Sequence, residues 1–225
     1  MSGMKVAAII AAAGGGRRFG AAKQFITLQG RSILEWSLAR FESHPAVDEI
    51  VLVLPAPDEG QIRKYAGLFH KLKAVVKGGD RRQDSVLCGF RALDPETTGI
   101  VLVHDAARPL ADEALIRRVI EGARRIGAAV PAVPAEDTIK EVDGETVVRT
   151  PDRSRLRRCQ TPQGFAYALL RQALERAEKN GWSGNDEAGL VERMGGKVIV
   201  VEGDVRNFKI TTPRDLKMAE VLLEN

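Results

Sequence analysis

Short, almost wholly apolar runs recur along the chain, at residues 6–10, 49–54, 74–76, 100–103, 128–133 and 198–201. A strand that is apolar at both odd and even positions has no face to offer to water and must be covered on both sides. Between these runs lie longer segments in which apolar residues recur every three or four positions, the spacing of one helical face. Buried strands alternating with amphipathic helices dictate an α/β architecture, an open and mainly parallel sheet with helices on both faces. At 225 residues such a chain hides about 70% of its unfolded surface, so its core needs neither a disulfide nor a structural metal.

Local signals place several helices. Ser32-Ile33-Leu34-Glu35 reads as a capping box, in which the hydroxyl accepts a free backbone N–H and the glutamate reaches back. Leu34, Leu38 and Phe41 then share one face, and Pro45 ends the helix. Asp112 opens a second helix with Leu115, Ile116, Val119, Ile120 and Ala123 as its core-facing stripe. Thr212-Pro213 opens a third, with proline at the first helical position. One segment breaks the alternation: residues 138–142 and 145–149 flank Asp143-Gly144, the signature of a tight hairpin with positive φ at both turn residues. A lone two-stranded hairpin is marginal in water and needs a surface, either its own sheet or another subunit. No repeat or compositional break marks a second domain, so residues 1–225 read as one domain, with 137–155 as a protruding β-hairpin arm.

Composition narrows the function. Hydrophobic residues at 44% and charged residues at 28% are those of an ordinary folded protein. Aromatic residues at 5%, with a net charge of only +4, argue against a nucleic-acid partner held by stacked bases or a basic face. The apolar run at 6–13 is closed by glycines and is too short to cross a membrane. Two cysteines, Cys88 and Cys159, and three scattered histidines show no zinc-ligand spacing, and the expected setting is a reducing cytoplasm.

The first apolar run leads into Ala12-Ala13-Gly14-Gly15-Gly16-Arg17-Arg18, with Lys23 following. Ligands of open parallel sheets bind beyond the carboxyl ends of the strands, where small residues let backbone N–H groups curl around phosphate oxygens. A Walker A loop is excluded because Ala21 stands where its lysine belongs. The dinucleotide fingerprint fails because Phe19 replaces its third glycine and Pro55, not an acid, follows the second strand.

Further clusters fall at other strand ends. Gly78-Gly79-Asp80-Arg81-Arg82-Gln83-Asp84-Ser85 follows the third run, with a helix expected to start near Asp84. Ser85 and the Gly79 backbone are placed either to read the edge of a base or to cap that helix. His104-Asp105-Ala106-Ala107-Arg108-Pro109 follows the fourth. Asp105 there suits either Mg²⁺ beside phosphate oxygens or an ion pair with Arg108. Residues 149–158 hold five arginines, whose planar forks suit an anionic ligand or a nucleic acid. Gln160-Thr161-Pro162-Gln163 and Asn207-Phe208-Lys209-Ile210-Thr211 complete the set.

The loop at 12–18 resembles the sugar nucleotidyltransferase signature, and the ordered clusters, from Val6 to Leu223, resemble the 2-C-methyl-D-erythritol 4-phosphate cytidylyltransferases of the non-mevalonate isoprenoid pathway. That resemblance implies a Rossmann-like sheet and an enzyme that joins CTP to a polyol phosphate. It implies that Ala12, Ala13, Gly14, Gly15 and Gly16 wrap the triphosphate, with Arg18 gripping it. Lys23 and Lys209 would converge on the α-phosphate, and Gly79, Asp80 and Ser85 would surround the cytosine. Asp105, the expected Mg²⁺ ligand, and Arg108 would meet the sugar alcohol and the metal-bound phosphates, with Thr161 in the same pocket. Thr138 and Arg153 lie on the arm, which in this family reaches into the partner's active site, so a homodimer is implied. Ala11, Ala22 and Asn185 depart from residues frequent in the family, and the Arg18–Lys23 stretch is short.

The nucleophile expected for this chemistry is the acceptor's own phosphate monoester, whose second pKa of about 6 leaves it ionised near neutrality. No strong general base is then required, and catalysis rests on positioning and charge neutralisation. Two other readings stay open on sequence: a cytidylyltransferase for ribitol phosphate or another polyol phosphate, and a binding module without turnover.

Overall fold

The computed structural model describes residues 3–14 and 23–223. Strand β1 (Lys5–Ala11) is followed by the short pair β2 (Thr27–Leu28) and β3 (Arg31–Ser32), then helix α1 (Ile33–Glu42). Next come β4 (Glu49–Leu54), α2 (Glu59–Leu68), β5 (Leu72–Lys77), α3 (Arg82–Phe90), β6 (Thr98–Asp105), α4 (Glu113–Ile126) and β7 (Ala128–Pro134). The hairpin β8 (Glu141–Asp143) and β9 (Thr146–Arg149) leads to β10 (Arg157–Cys159) and β11 (Gln163–Ala166). Helices α5 (Tyr167–Asn180) and α6 (Glu187–Arg193), strand β12 (Ile199–Glu202) and helix α7 (Pro213–Leu223) finish the chain.

The central eight-stranded sheet runs β10-β7-β11-β6-β1-β4-β5, with β12 also paired to β7. Strand β1 pairs in parallel with β4 and β6, β4 with β5, and β12 with β7. The sheet is therefore mainly parallel, as the apolar runs require. The exceptions are β10, antiparallel to β7, and β11, which lies antiparallel between β6 and β7. The β11 sequence, Gln163-Gly164-Phe165-Ala166, carries one large apolar residue, so no hydrophobic pattern announces a strand there.

The two faces divide the core residue by residue. Val6, Ala8 and Ile10 of β1 join Ile50, Leu52 and Leu54 of β4 and Leu102 of β6 against Leu34, Leu38 and Phe41 of α1 and Ile116, Val119 and Ile120 of α4. Ala7, Ile9, Val51, Val53, Val101 and Val103 turn the other way, onto Val86 of α3, Leu170 and Leu174 of α5 and Leu190 of α6. Successive side chains of one strand thus reach opposite helical layers, as the two-residue period of a strand demands. The capping box forms as read: Ser32 Oγ accepts from Glu35 N at 3.2 Å, and Glu35 Oε2 accepts the Ser32 N–H at 2.7 Å. Asp112 likewise accepts from Leu115 N at 2.7 Å.

Two local readings need correction. The hairpin turn is Gly144-Glu145, because Asp143 pairs with Thr146. Among the described residues of the turn only Gly144 has a positive φ, 56°, so a single permissive residue suffices where a tight turn with two was expected. Helix α3 starts at Arg82 rather than near Asp84, because Asp84 Oδ2 reaches back to the Arg81 N–H at 3.2 Å. Strands β8 and β9 pair with each other, separate from the main sheet, and are exposed throughout, with Val142, Val147 and Val148 more than half exposed.

Leu102, fully buried at the middle of the sheet, offers a direct check on this core. Leu102→Ala is expected to lower unfolding free energy by about 2–5 kcal/mol, read as a shifted denaturant midpoint at unchanged slope.

Candidate active site

The site is built where β1, β5 and β6 end. Strand β1 stops at Ala11, whose carbonyl accepts from Ala106 N at 3.2 Å, while Ala12 N donates to Val53 O at 2.9 Å. These bonds tie the start of the small-residue loop to the segment after β6 and to the end of β4. Gln24 Nε2 donates to the Ala12 carbonyl at 2.9 Å. Ala12 is buried, Ala13 half-buried and Gly14 exposed. Gly15, Gly16 and Arg18 lie outside the described residues, as does the side chain of Lys23.

The loop after β5 packs directly on that segment. A Cβ added to Gly78 would stand 2.5 Å from Ala13 Cβ and 2.7 Å from Ser85 Oγ, so only glycine lets the two loops meet. The buried Ser85 hydroxyl points back at the carbonyls of Arg81 (3.1 Å) and Gly79 (3.3 Å). It therefore shapes the Gly79 turn rather than capping α3. Asp80 stands exposed at the turn.

Asp105, the last residue of β6, is the centre of the charged part. Its Oδ1 accepts from Arg82 Nε at 2.8 Å and its Oδ2 from Lys209 Nζ at 2.7 Å. Arg82 in turn sends Nη1 to both oxygens of the fully buried Glu187, at 2.9 and 2.8 Å. The ion pair imagined between Asp105 and Arg108 does not form. Arg108 instead donates through Nη1 to the Asn207 carbonyl at 2.8 Å, and its buried Nε–H has no partner. Burial alone would push the Asp105 carboxyl up, but the Arg82 and Lys209 charges hold it well below the usual carboxylate range. Burial lowers Arg108. The Lys209 side chain is 37% exposed, more than Arg82 or Asp105.

Thr161 closes the floor. It is 5% exposed, and its hydroxyl lies 3.0 Å from Asp105 N and 3.1 Å from His104 Nδ1. Its carbonyl accepts from Asn207 Nδ2 at 2.9 Å. The structure thus brings Asp105, Thr161 and Lys209 into contact, ties Arg108 to them through Asn207, and joins Ala12, Ala13, Gly79 and Ser85 alongside. Thr138 and Arg153 stand exposed on the arm, where Arg153 Nη1 donates to the Glu136 carbonyl at 2.9 Å. No hydrogen bond among the described residues joins either of them to the Asp105 group.

Sequence reasoning assigned no role to Arg82, Glu187, His104 or Asn207, whose partners, apart from the Arg108 carbonyl beside His104, lie far away along the chain. One signal was present. Arg81 and Arg82 open α3, yet the first turn of a helix disfavours cations, so an arginine there needs carboxylate partners from elsewhere.

Among the described residues no three His, Cys, Asp or Glu side chains gather to hold a metal. Asp105 offers one carboxylate with both oxygens already facing cations. That donor set fits a Mg²⁺ carried in on nucleotide phosphates, which needs as little as one carboxylate, and not an ion resident in the protein alone.

An open sheet with a small-residue loop, a neighbouring glycine turn and a cationic floor at its carboxyl edge is the plan of a nucleotidyltransferase. A crystal structure of 2-C-methyl-D-erythritol 4-phosphate cytidylyltransferase from Thermus thermophilus superposes with a TM-score of 0.81 at 38% identity, covering 99% of this chain and 100% of that one. The 4-diphosphocytidyl-2C-methyl-D-erythritol synthase of Anaerococcus prevotii gives 0.87 at 33% identity, covering both chains fully. The family model IspD, 2-C-methyl-D-erythritol 4-phosphate cytidylyltransferase, matches residues 6–225. The cytidylyltransferases of that name from Geotalea uraniireducens and Syntrophotalea carbinolica are 44% and 42% identical, over 99% and 98% of this chain and 98% and 97% of theirs. The chain belongs to the 2-C-methyl-D-erythritol 4-phosphate cytidylyltransferase family.

Burial at this edge has a pH signature. His104, fully buried, is lowered from the ordinary 6.5 to about 4. A depressed folded value means stability is complete above the unfolded value and falls as pH drops, because only the unfolded chain takes the proton. Asp105 adds the same sign at lower pH, and His44, lowered mainly by burial, acts alongside. Between pH 6.5 and 4 the His104 contribution is expected to fall by about 1.4 kcal/mol per unit. Denaturant titrations across that window should show a shallower fall for His104→Gln than for the native chain; equal slopes would remove His104 as a source.

Proposed function

We propose that this enzyme transfers the cytidylyl group of CTP to 2-C-methyl-D-erythritol 4-phosphate, giving 4-diphosphocytidyl-2-C-methyl-D-erythritol and pyrophosphate. The observation that carries the reading is the Lys209–Asp105 contact at 2.7 Å, beside Arg108 and next to the paired loops at Ala12–Ala13 and Gly78–Gly79, in a chain of this family. Lys209 is the more exposed of the two cations on Asp105, as suits a cation meeting the α-phosphate. With Lys23 and Arg18 it would neutralise the oxygens of the transferring group, while Gly79, Asp80 and Ser85 hold the base and Ala12 to Gly16 the triphosphate.

The acceptor phosphate attacks the α-phosphorus and pyrophosphate leaves in line, and no side chain has to remove a proton. Asp105 and Arg108 are suited to orient the acceptor, Asp105 by accepting from a hydroxyl and Arg108 through the positive charge of its guanidinium. Asp105 would hold a Mg²⁺ that arrives with the triphosphate, and the ion would supply positive charge to offset that of the departing pyrophosphate.

Thr138 and Arg153, exposed on the arm and not bonded to the Asp105 group, are assigned in this reading to the site of a second copy. The exposed valines of β8 and β9 and the guanidinium of Arg153 support an arm that packs on a partner and offers Arg153 to the partner's acceptor phosphate. The free Cys88 and Cys159 suit a reducing cytoplasm, and no helix among the described residues is long and apolar enough to cross a membrane.

With CTP and Mg²⁺, pyrophosphate release is expected with methylerythritol phosphate and not with ribitol phosphate; the reverse preference would overturn the assignment. Removing one preorganised charge partner typically costs on the order of 10²–10³ in rate, and that loss in kcat is expected for both Lys209→Ala and Lys23→Ala. Light scattering should report a dimer at assay concentration, and a fully active monomer would refute the role of the arm.

A further inference from the structure

The hydrogen positions around Thr161 follow from the chemistry of its neighbours. His104 Nε2 lies 3.0 Å from the Arg108 carbonyl oxygen. A carbonyl can only accept, so Nε2 carries the ring proton and the neutral ring leaves Nδ1 bare. Nδ1, 3.1 Å from Thr161 Oγ1, must then accept, and the hydroxyl hydrogen of Thr161 points at it. The same oxygen accepts the Asp105 N–H at 3.0 Å. The threonine has no hydrogen left to give, and a phosphate oxygen would find no donor on it.

We propose that Thr161 and His104 act as a pair of positioning residues, fixing the 105–108 segment for the transfer, and that the Thr161 hydroxyl donates no hydrogen bond to the acceptor phosphate. The chain of bonds runs from the Arg108 carbonyl through the imidazole and the hydroxyl to the Asp105 amide. It closes both ends of the segment that carries the carboxylate and the guanidinium. Thr161 pins the other wall as well, since its carbonyl accepts from Asn207 Nδ2 at 2.9 Å, two residues before Lys209. Ile210 N donates to the Ala107 carbonyl at 2.8 Å, locking the two walls together. His104 is fully buried, with no exposed surface to offer a substrate, and its ring packs on Phe41 with centroids 4.8 Å apart. Its one route to the reaction is through the segment it holds.

This inference rests on the cytidylyl-transfer reading, and the two can fail separately. Native enzyme that does not turn over CTP with the polyol phosphate sinks the functional reading and leaves the bond chain to be judged on its own. For the inference, kcat, acceptor KM and CTP affinity by calorimetry would be measured for Thr161→Val, Thr161→Ser, His104→Asn and the Val/Asn double variant, each checked by melting to be folded at assay temperature. Misplacement of reacting groups is expected to lower kcat by roughly 10- to 100-fold in Thr161→Val and comparably in His104→Asn. CTP affinity should stay within about threefold, Thr161→Ser should restore turnover, and the double variant should be no worse than the poorer single, as for residues acting as one unit. A fall confined to Thr161→Val, with a raised acceptor KM, near-native His104→Asn and losses that multiply in the double variant, would overturn it. Should a variant fail to fold, nitrogen NMR of the native enzyme decides alone. A proton on Nε2 and a bare Nδ1 on His104 supports the pair, and the opposite tautomer refutes it.

Discussion

The carboxylate of Asp105 accepts Arg82 on one oxygen and Lys209 on the other, and the two cations come from distant parts of the chain. Arg82 begins the helix behind the Gly78–Gly79 turn, whereas Lys209 follows the last strand of the sheet. One buried anion therefore sets the distance between the loop suited to a base and the cation suited to an α-phosphate. Glu187 keeps Arg82 from turning wholly to Asp105, because it takes the Nη1 side of the fork. Two acids and two bases make a locally neutral quartet, beside which Arg108, bonded to the Asn207 carbonyl, stands as a cation with no carboxylate in an ion pair.

Such a network is weak evidence for stability, since desolvation offsets much of its attraction, but removing one partner of a buried pair costs about 3–5 kcal/mol. Its value here is positional. Asp105 is the most withdrawn of the three while Lys209 is 37% exposed, so the network holds its most exposed cation on a fixed base. Electrostatic stabilisation of a transition state depends on charges already in place when the reaction begins. The sheet supplies the rigidity, for β6 is central, paired with β1 and β11 and covered on both faces.

Much of this was legible in the sequence for definite reasons. Strands β1, β4, β6 and β7 are buried on both faces, so their apolar runs named them, and Ser32, Asp112 and Pro213 marked helix starts through capping chemistry. Strand β11 stayed hidden because Gln163-Gly164-Phe165-Ala166 is shaped by its neighbours and carries no period. Asp105 and Lys209 could be named from their motifs, but their contact spans 104 residues and no local pattern encodes it. The partners of Arg82 and the role of His104 were illegible for the same reason. A histidine's duty is fixed by what faces its two nitrogens; the Arg108 carbonyl is local, but the Thr161 hydroxyl arrives only when β6 and the 160–163 segment meet.

The central claim is that the Asp105 quartet presents Lys209 to the α-phosphate of CTP. A crystal structure with bound CTP tests it most directly. An α-phosphate oxygen within hydrogen-bond distance of Lys209 Nζ, with Arg82 still bridging Asp105 and Glu187, is the expected result. A triphosphate lying away from Lys209, or an Asp105 released from Arg82 on binding, would contradict it.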